Sequence, residues 1–289
     1  MPRFFCTKYF MSENNLNKHK IICLLSSEEK KPIYKQMDNV NDGKQKIIQL
    51  FMDNVKGKQI DLSNMNKSHD GKEGHWLETQ MNITHNSKNK ADIYGYEMKK
   101  KSPKITFGDF SATEYLFTLK KKYINEYNIT RNDFIRYFGS IKKERFSWSG
   151  KCVPVYGKYN EYGQILEITK DNDICIFYSY IHDKREDKNY ILPDFLKSNP
   201  ILIVLWKAEK LRNNINNKFN DNGFFICKKN GSVYDKICFG NPFNFDYFIE
   251  NIKNKLIIFD SGMYEGNSRN YSQFRSSSNF WDKMITEEY

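Results

Sequence analysis

The chain has 289 residues, 39% hydrophobic and 28% charged, enough for one large domain or two small ones around a real core. The net charge of +11 points to an anionic partner such as nucleic acid, and 16% aromatic residues argue against a disordered tail protein. No run reaches the roughly 18 apolar residues of a membrane span, and MPRFFCTKYF lacks a signal-peptide pattern.

Six cysteines (Cys6, Cys23, Cys152, Cys175, Cys227 and Cys238) are scattered without a CxxC pair. Reduced thiols and a cytoplasmic location are therefore expected, rather than a disulfide framework or a zinc site.

Residues 1–40 read as loops with one strand at an apolar island such as Ile21–Leu25. Ile47, Ile48, Leu50, Phe51 and Val55 recur at helical spacing after Asn41-Asp42, predicting a helix over 43–55. A Gly/Asn/Ser/His-rich loop follows over 56–75, and a short helix opens at Trp76-Leu77-Glu78. Alternation predicts strands over Tyr94–Lys99 and Ile105–Phe110, joined by a Lys/Ser/Pro turn. Helices are expected over 112–127 and 131–138, the second with a capping box from Thr130 to Asp133.

Cys152–Tyr156, Ile165–Thr169 and Ile174–Tyr180 read as a β-meander, with Asp171 and Asp173 in a hairpin turn. Ile201–Trp206 is a buried strand, followed by a polar helix to about 219, a strand over Phe224–Lys228, a helix over Phe245–Lys253 and a last strand over Leu256–Phe259. The tail 261–280 reads as a polar, aromatic, basic loop. The simplest account is a single α/β domain over 1–289, a mixed β-sheet flanked by helices with an additional β-rich region.

The most informative stretch is Ala91-Asp92-Ile93-Tyr94-Gly95-Tyr96-Glu97-Met98-Lys99. Glu97 and Lys99, two apart on a strand, point to one face, and Asp92 sits at the strand's entrance. Two carboxylates and an ammonium on one spot make a hard, oxygen-rich site for Mg²⁺ suited to phosphodiester hydrolysis. Glu-x-Lys alone is common on exposed strand faces. Three features raise it above that: the Asp92 spacing, the bulky flanks Ile93, Tyr94, Tyr96 and Met98, and Glu78 upstream on a helix. His75 and His85 flank the site, but no HxH, HExxH, P-loop or GxGxxG pattern offers a rival chemistry.

Asp92-x4-Glu97-x-Lys99 resembles the signature of the PD-(D/E)xK nucleases, with Ala91 where the family name has Pro. Its short spacing is similar to that of the MvaI/BcnI-type restriction endonucleases and their mismatch-repair relative, the nickase MutH. The resemblance covers about 70–120 and returns more weakly at 200–280. It implies a restriction-endonuclease-like core, with a catalytic part over about 43–140 and a β-rich DNA-recognition part over about 145–289. It further implies a Mg²⁺-dependent type II restriction enzyme acting on double-stranded DNA. Asp92 and Glu97 would hold metal, Lys99 would position the attacking water, and Glu78 would complete the site. A monomer and a cognate DNA methyltransferase as genetic partner follow by the same analogy. A MutH-like nicking or repair nuclease, and a non-catalytic DNA-binding protein, stay open as alternatives.

Direct readout needs Arg toward guanine and Asn or Gln toward adenine. Arg269, Asn270, Tyr271, Gln273 and Arg275 fall within seven positions of the tail and are the expected base readers. Lys99 to Lys101, Lys104, Lys120 to Lys122, Lys142, Lys143 and Arg145 are the expected phosphate contacts.

Overall fold

The computed structural model describes residues 42–61, 71–84, 89–118, 128–198 and 200–289. The expected strand near Ile21–Leu25, His85 and Lys120 to Lys122 therefore lie outside the described residues. The chain divides at Gln49/Leu50 into two compact units. Of the first, only 42–49 are described, and they are helical; all that follows after α1 concerns the second. No described helix is long and apolar enough to cross a membrane.

Helix α1 covers 42–54, and α2 covers Lys72–Gln80, four residues earlier than Trp76, where the apolar pattern begins. The early start needs no side-chain cap: Gly71 occupies the N-cap position without one. Strands β1 (Glu97–Lys100) and β2 (Lys104–Asp109) follow. They do not form a hairpin. β1 pairs in parallel with β9 (Phe224–Asn230), which pairs with β10 (Val233–Gly240) and through it with β14 (Ile285–Glu288). β2 instead joins β13 (Ser272–Ser277) and β11 (Ile257–Ser261). The helix expected over 112–127 is absent from its described part: Glu114–Tyr115 form the short strand β3, and a turn follows. Tyr115 is 3% exposed, and its hydroxyl bonds Ser272 Oγ at 2.8 Å, so tertiary contacts override the local helical pattern.

Helix α3 (Arg131–Phe138) is capped as the sequence predicts, Thr130 and Asp133 exchanging bonds. Strands β4 (Ser140–Lys142) and β5 (Arg145–Trp148) form a hairpin over Lys143 and Glu144, both at positive φ. The third meander strand is missing. Gly150–Cys152 is a 3₁₀ turn, and Val155 and Tyr156 make only isolated bridges. The two others are β6 (Tyr162–Ile168) and β7 (Ile174–Asp183), in a sheet ordered β3-β8-β7-β6 with β8 at Ile201–Trp206. A short α4 (Lys188–Ile191) precedes β8, and α5 (Ala208–Phe219) follows it. Asp173 does more than turn the chain: its carboxylate accepts from Ala208 N at 2.8 Å and meets Lys207 Nζ at 2.8 Å, satisfying the start of α5. Helix α6 (Phe245–Lys253), strand β12 (Met263–Tyr264, paired with β5) and helix α7 (Ser278–Lys283) complete the fold.

The mixed α/β class expected from sequence is the one observed. One aromatic cluster fixes β2. The Phe107 ring lies 4.6 Å from Trp281, 5.4 Å from Phe248, 5.8 Å from Phe243 and 6.0 Å from Phe219, so α5, α6 and α7 all pack on it. Four cysteines, Cys152, Cys175, Cys227 and Cys238, are buried and free.

Candidate active site and nucleic-acid surface

The strand expected at Tyr94 begins only at Glu97, because Tyr94 (φ 46°) and Gly95 (φ 76°) form a tight turn bridged by Ile93 and Tyr96. This turn is clamped from across the fold. Asn222 Nδ2 donates to Tyr94 O at 2.8 Å, Asn222 N to Gly95 O at 3.1 Å, and Glu97 N to Gly223 O at 3.0 Å. Ala91 N donates to Asn217 O at 3.0 Å, tying the approach to Asp92 onto the end of α5. Helix α2 docks beside it: Trp76 stacks on Tyr234, and Glu73 pairs with Lys100 and Lys229.

Glu97 and Lys99 share one face of β1, and both are buried, 3% and 6% exposed. Lys99 Nζ donates to Glu97 Oε1 at 2.8 Å and to Phe107 O at 3.3 Å, the carbonyl that the aromatic cluster holds in place. Lys218 Nζ, from α5, donates to the same Oε1 at 2.6 Å. Asp92 Oδ2 accepts from Met98 N at 2.8 Å. Burial, and then the Glu97 carboxylate, push Asp92 up to about 6 against the pull of Lys99, Lys218 and the Met98 amide. Burial likewise holds the Lys99 ammonium below its ordinary value, although Glu97 opposes this. The strand is not generic surface: its buried Glu97 and Lys99 meet the half-buried Lys218 of α5, with Asp92 at the strand's entrance.

The cluster fits a hard divalent cation. Glu97 Oε2 is buried without a hydrogen-bond partner among the described residues, and the Asp92 carboxylate is close enough to raise its own pKa against Glu97. Among the described residues no three His, Cys, Asp or Glu side chains converge as a metal cage. Glu78 lies on α2, with its carboxylate 3.7 Å from His75 Nδ1.

Lys218 was outside the sequence motif, yet a signal for it exists. Leu211, Ile215 and Phe219 are the buried stripe of α5, and Lys218, seven positions after Leu211, falls on that stripe. A lysine on an apolar helix face asks for a buried partner.

The model of the LlaMI restriction endonuclease family matches residues 55–289. The chain belongs to this restriction endonuclease family. It is thereby a site-specific deoxyribonuclease. It is 40% identical over 269 residues to the type II restriction enzyme ScrFI of Lactococcus lactis subsp. cremoris, covering 86% of this chain and 99% of that one. Among solved structures it is similar to the restriction endonuclease MvaI–cognate DNA substrate complex, with a TM-score of 0.52 at 13% identity over 86% of this chain and 97% of that one. That likeness shows a shared fold. Restriction endonucleases in general require a metal ion.

In this restriction endonuclease the tail expected to be a polar loop is mostly β12, β13 and α7. Its irregular part, 265–271, is stapled by Arg131, which sequence reading also missed. Arg131 Nε donates to Asn270 Oδ1 at 2.8 Å, Nη1 to Asn267 O at 2.6 Å and Tyr264 O at 3.3 Å, and Nη2 to Asn267 Oδ1 at 2.6 Å and Arg269 O at 2.9 Å. Arg269 extends outward, its side chain 64% exposed, with Nη2 3.1 Å from Asp109 Oδ2 and its guanidinium 4.9 Å from the Tyr271 ring centre. Gln273 and Arg275 sit within β13, between β11 and β2. Arg275 pairs with Asp260 at 3.2 Å and bonds Gln273 Oε1.

Among the expected phosphate contacts, Lys104 and Arg145 are exposed, Lys101 pairs with Asp282, and the Arg145 guanidinium lies 3.4 Å from the Tyr264 ring centre. Asp109 joins the two regions. Its Oδ1 accepts from Ser272 N at 2.7 Å, and it stands two residues past the Phe107 carbonyl that Lys99 touches.

Proposed function

We propose that this restriction endonuclease is a Mg²⁺-dependent type II enzyme that hydrolyses phosphodiester bonds in double-stranded DNA, with Asp92 and Glu97 as metal ligands. The observation that carries this is the buried Asp92–Glu97–Lys99 cluster with one carboxylate oxygen left bare. The all-oxygen donor set suits Mg²⁺ rather than a soft metal. The bound ion would supply the Lewis acid that polarises the scissile phosphate and acidifies the attacking water. Lys99 orients that water and donates to the phosphate oxygens as negative charge builds. Met98 N holds Asp92 at Oδ2, so this carboxylate needs little reorganisation.

Arg269, Asn270, Tyr271, Gln273 and Arg275 are proposed to read bases, with Arg269 the foremost because its side chain is 64% exposed. Lys101, Lys104 and Arg145 are proposed to bind phosphates. The enzyme is proposed to act in the cytoplasm as a monomer that cuts the two strands in turn, alongside a DNA methyltransferase that protects the host DNA.

Supercoiled plasmid and a sequenced phage genome test the reading. Discrete linear fragments with Mg²⁺ are expected, and specific binding without cleavage when Ca²⁺ replaces it. Lys99→Ala is expected to lower cleavage at least about a hundredfold while leaving metal binding largely intact, because an ammonium cannot ligate a cation. Wild-type cleavage by that variant would refute the assignment. Nicked product alone would instead favour the MutH-like alternative.

A further inference from the structure

Lys218 lies 121 residues from Glu97 in sequence, yet its Nζ shares Glu97 Oε1 with Lys99 inside one buried cluster. The Lys218 side chain is 13% exposed and that of Glu97 4%. Glu97 is therefore held asymmetrically: two ammonium groups on Oε1, none on the equally buried Oε2. Charge-assisted bonds to one oxygen fix the rotation of a carboxylate, and a bare buried oxygen is costly unless a cation takes its lone pairs.

Lys99 cannot be the permanent holder. It also donates to Phe107 O, and it must turn to the reacting phosphate to act. Among the described residues Lys218 Nζ has no partner other than Glu97. Its helix is anchored by buried Leu211, Ile215 and Phe219, and the neighbouring Asn217 carbonyl accepts from Ala91 N beside Asp92.

We propose that Lys218 is a positioning residue for the catalytic carboxylate: it holds Glu97 by Oε1, presents Oε2 to the divalent cation, and by its charge keeps that cation loosely bound. This rests on the reading of Asp92 and Glu97 as the cation ligands. Lys99 is then free to leave Oε1 during the reaction without releasing Glu97.

The prediction has opposite signs for two measurements on the full chain. Mn²⁺ binding without DNA is read from the electron paramagnetic resonance of the free ion, and cleavage from single-turnover kinetics on plasmid. Lys218→Met is expected to bind Mn²⁺ at least about tenfold more tightly, because a like charge is removed, and to cleave at least about tenfold more slowly, because Glu97 loses its hold. Lys218→Arg, which keeps the charge, is expected to bind Mn²⁺ within about twofold of wild type and to recover part of the cleavage. A residue that only supports the fold would weaken both measurements together. If Lys218→Met does not fold, Lys218→Gln keeps a donor toward Oε1 without the charge and is expected to tighten Mn²⁺ binding likewise. Unchanged or weaker Mn²⁺ binding in the neutral variant overturns the proposal. Glu97→Gln separates the two levels: if it binds Mn²⁺ as wild type does, the assignment of the ligands itself is wrong, whatever Lys218 does.

Discussion

Asp92→Asn is expected to make the metal-free protein more stable while abolishing its activity. The Asp92 carboxyl is raised from 3.8 to about 6, chiefly by burial and then by Glu97. Holding the carboxyl that far above its ordinary value costs about 3 kcal/mol when it is ionised. The sign follows from linkage: a carboxyl whose folded pKa lies above its unfolded value is penalised in the folded state when ionised. Below about pH 4 the group is protonated in both states and the penalty vanishes. It grows as the pH rises toward 6 and is complete above that. The asparagine amide keeps a carbonyl oxygen for the Met98 N–H, so the hydrogen bond at 2.8 Å survives the change. Urea unfolding in EDTA is then expected to show the Asn variant ahead by about 3 kcal/mol at pH 8, with the advantage gone near pH 4 and the m-value unchanged. Added Mg²⁺ is expected to stabilise the wild type and not the variant. An advantage independent of pH, or a variant less stable at pH 8, would show that Asp92 is not strained by its neighbours as described.

Gly223 combines φ +88° with a position where a Cβ would lie 2.3 Å from Gly240 O, so Gly223→Ala is expected to cost about 3 kcal/mol or more by urea unfolding. Arg131→Lys is expected to lose roughly tenfold in specific DNA affinity, since an ammonium cannot reproduce the five bonds that hold 264–270; non-specific binding in a competition gel shift is expected to change little. Arg269→Ala is expected to cost about 1–3 kcal/mol of specific affinity, and more than Arg275→Ala, whose side chain is 32% exposed against 64% for Arg269. Log affinity for DNA is expected to fall linearly with log salt concentration, and a flat response would remove phosphate contacts from the account.

Periodic elements were legible in the sequence: the helix at 131–138 with its capping box, the apolar run Ile201–Trp206, and the helix over Phe245–Lys253 all stand where their patterns place them. Asp92, Glu97 and Lys99 were legible because their spacing is short and a strand sets their direction. What failed was non-local. Alternation from Tyr94 onward could not reveal that Tyr94 and Gly95 turn, a conformation fixed by Asn222 from 128 residues away. The expected β1–β2 hairpin failed because β1 finds a parallel partner in β9, a choice that neighbouring residues do not encode. Polar composition disguised β13 as a loop: Ser272 and Ser276 are buried in a central strand, where their hydroxyls find Tyr115 and the Leu256 carbonyl. Lys218 and Arg131 escaped notice because each acts on residues more than a hundred positions away.

The parallel pairing of β1 with β9 bears on when the enzyme becomes dangerous during its own synthesis. Glu97 lies opposite Phe224 and Lys99 opposite Ile226, and β2 is held in its sheet by β13 at 272–277. A chain emerging from the ribosome thus carries Asp92, Glu97 and Lys99 early but cannot assemble them until nearly the whole polypeptide is out. Contacts of such long sequence separation form slowly. A product terminated before Lys218 would hold Asp92, Glu97 and Lys99 on an unpaired segment, without β9, Lys218 or the Gly223 carbonyl to order them. Incomplete synthesis therefore yields an inert fragment rather than an unregulated nuclease, a safeguard that follows from strand order alone.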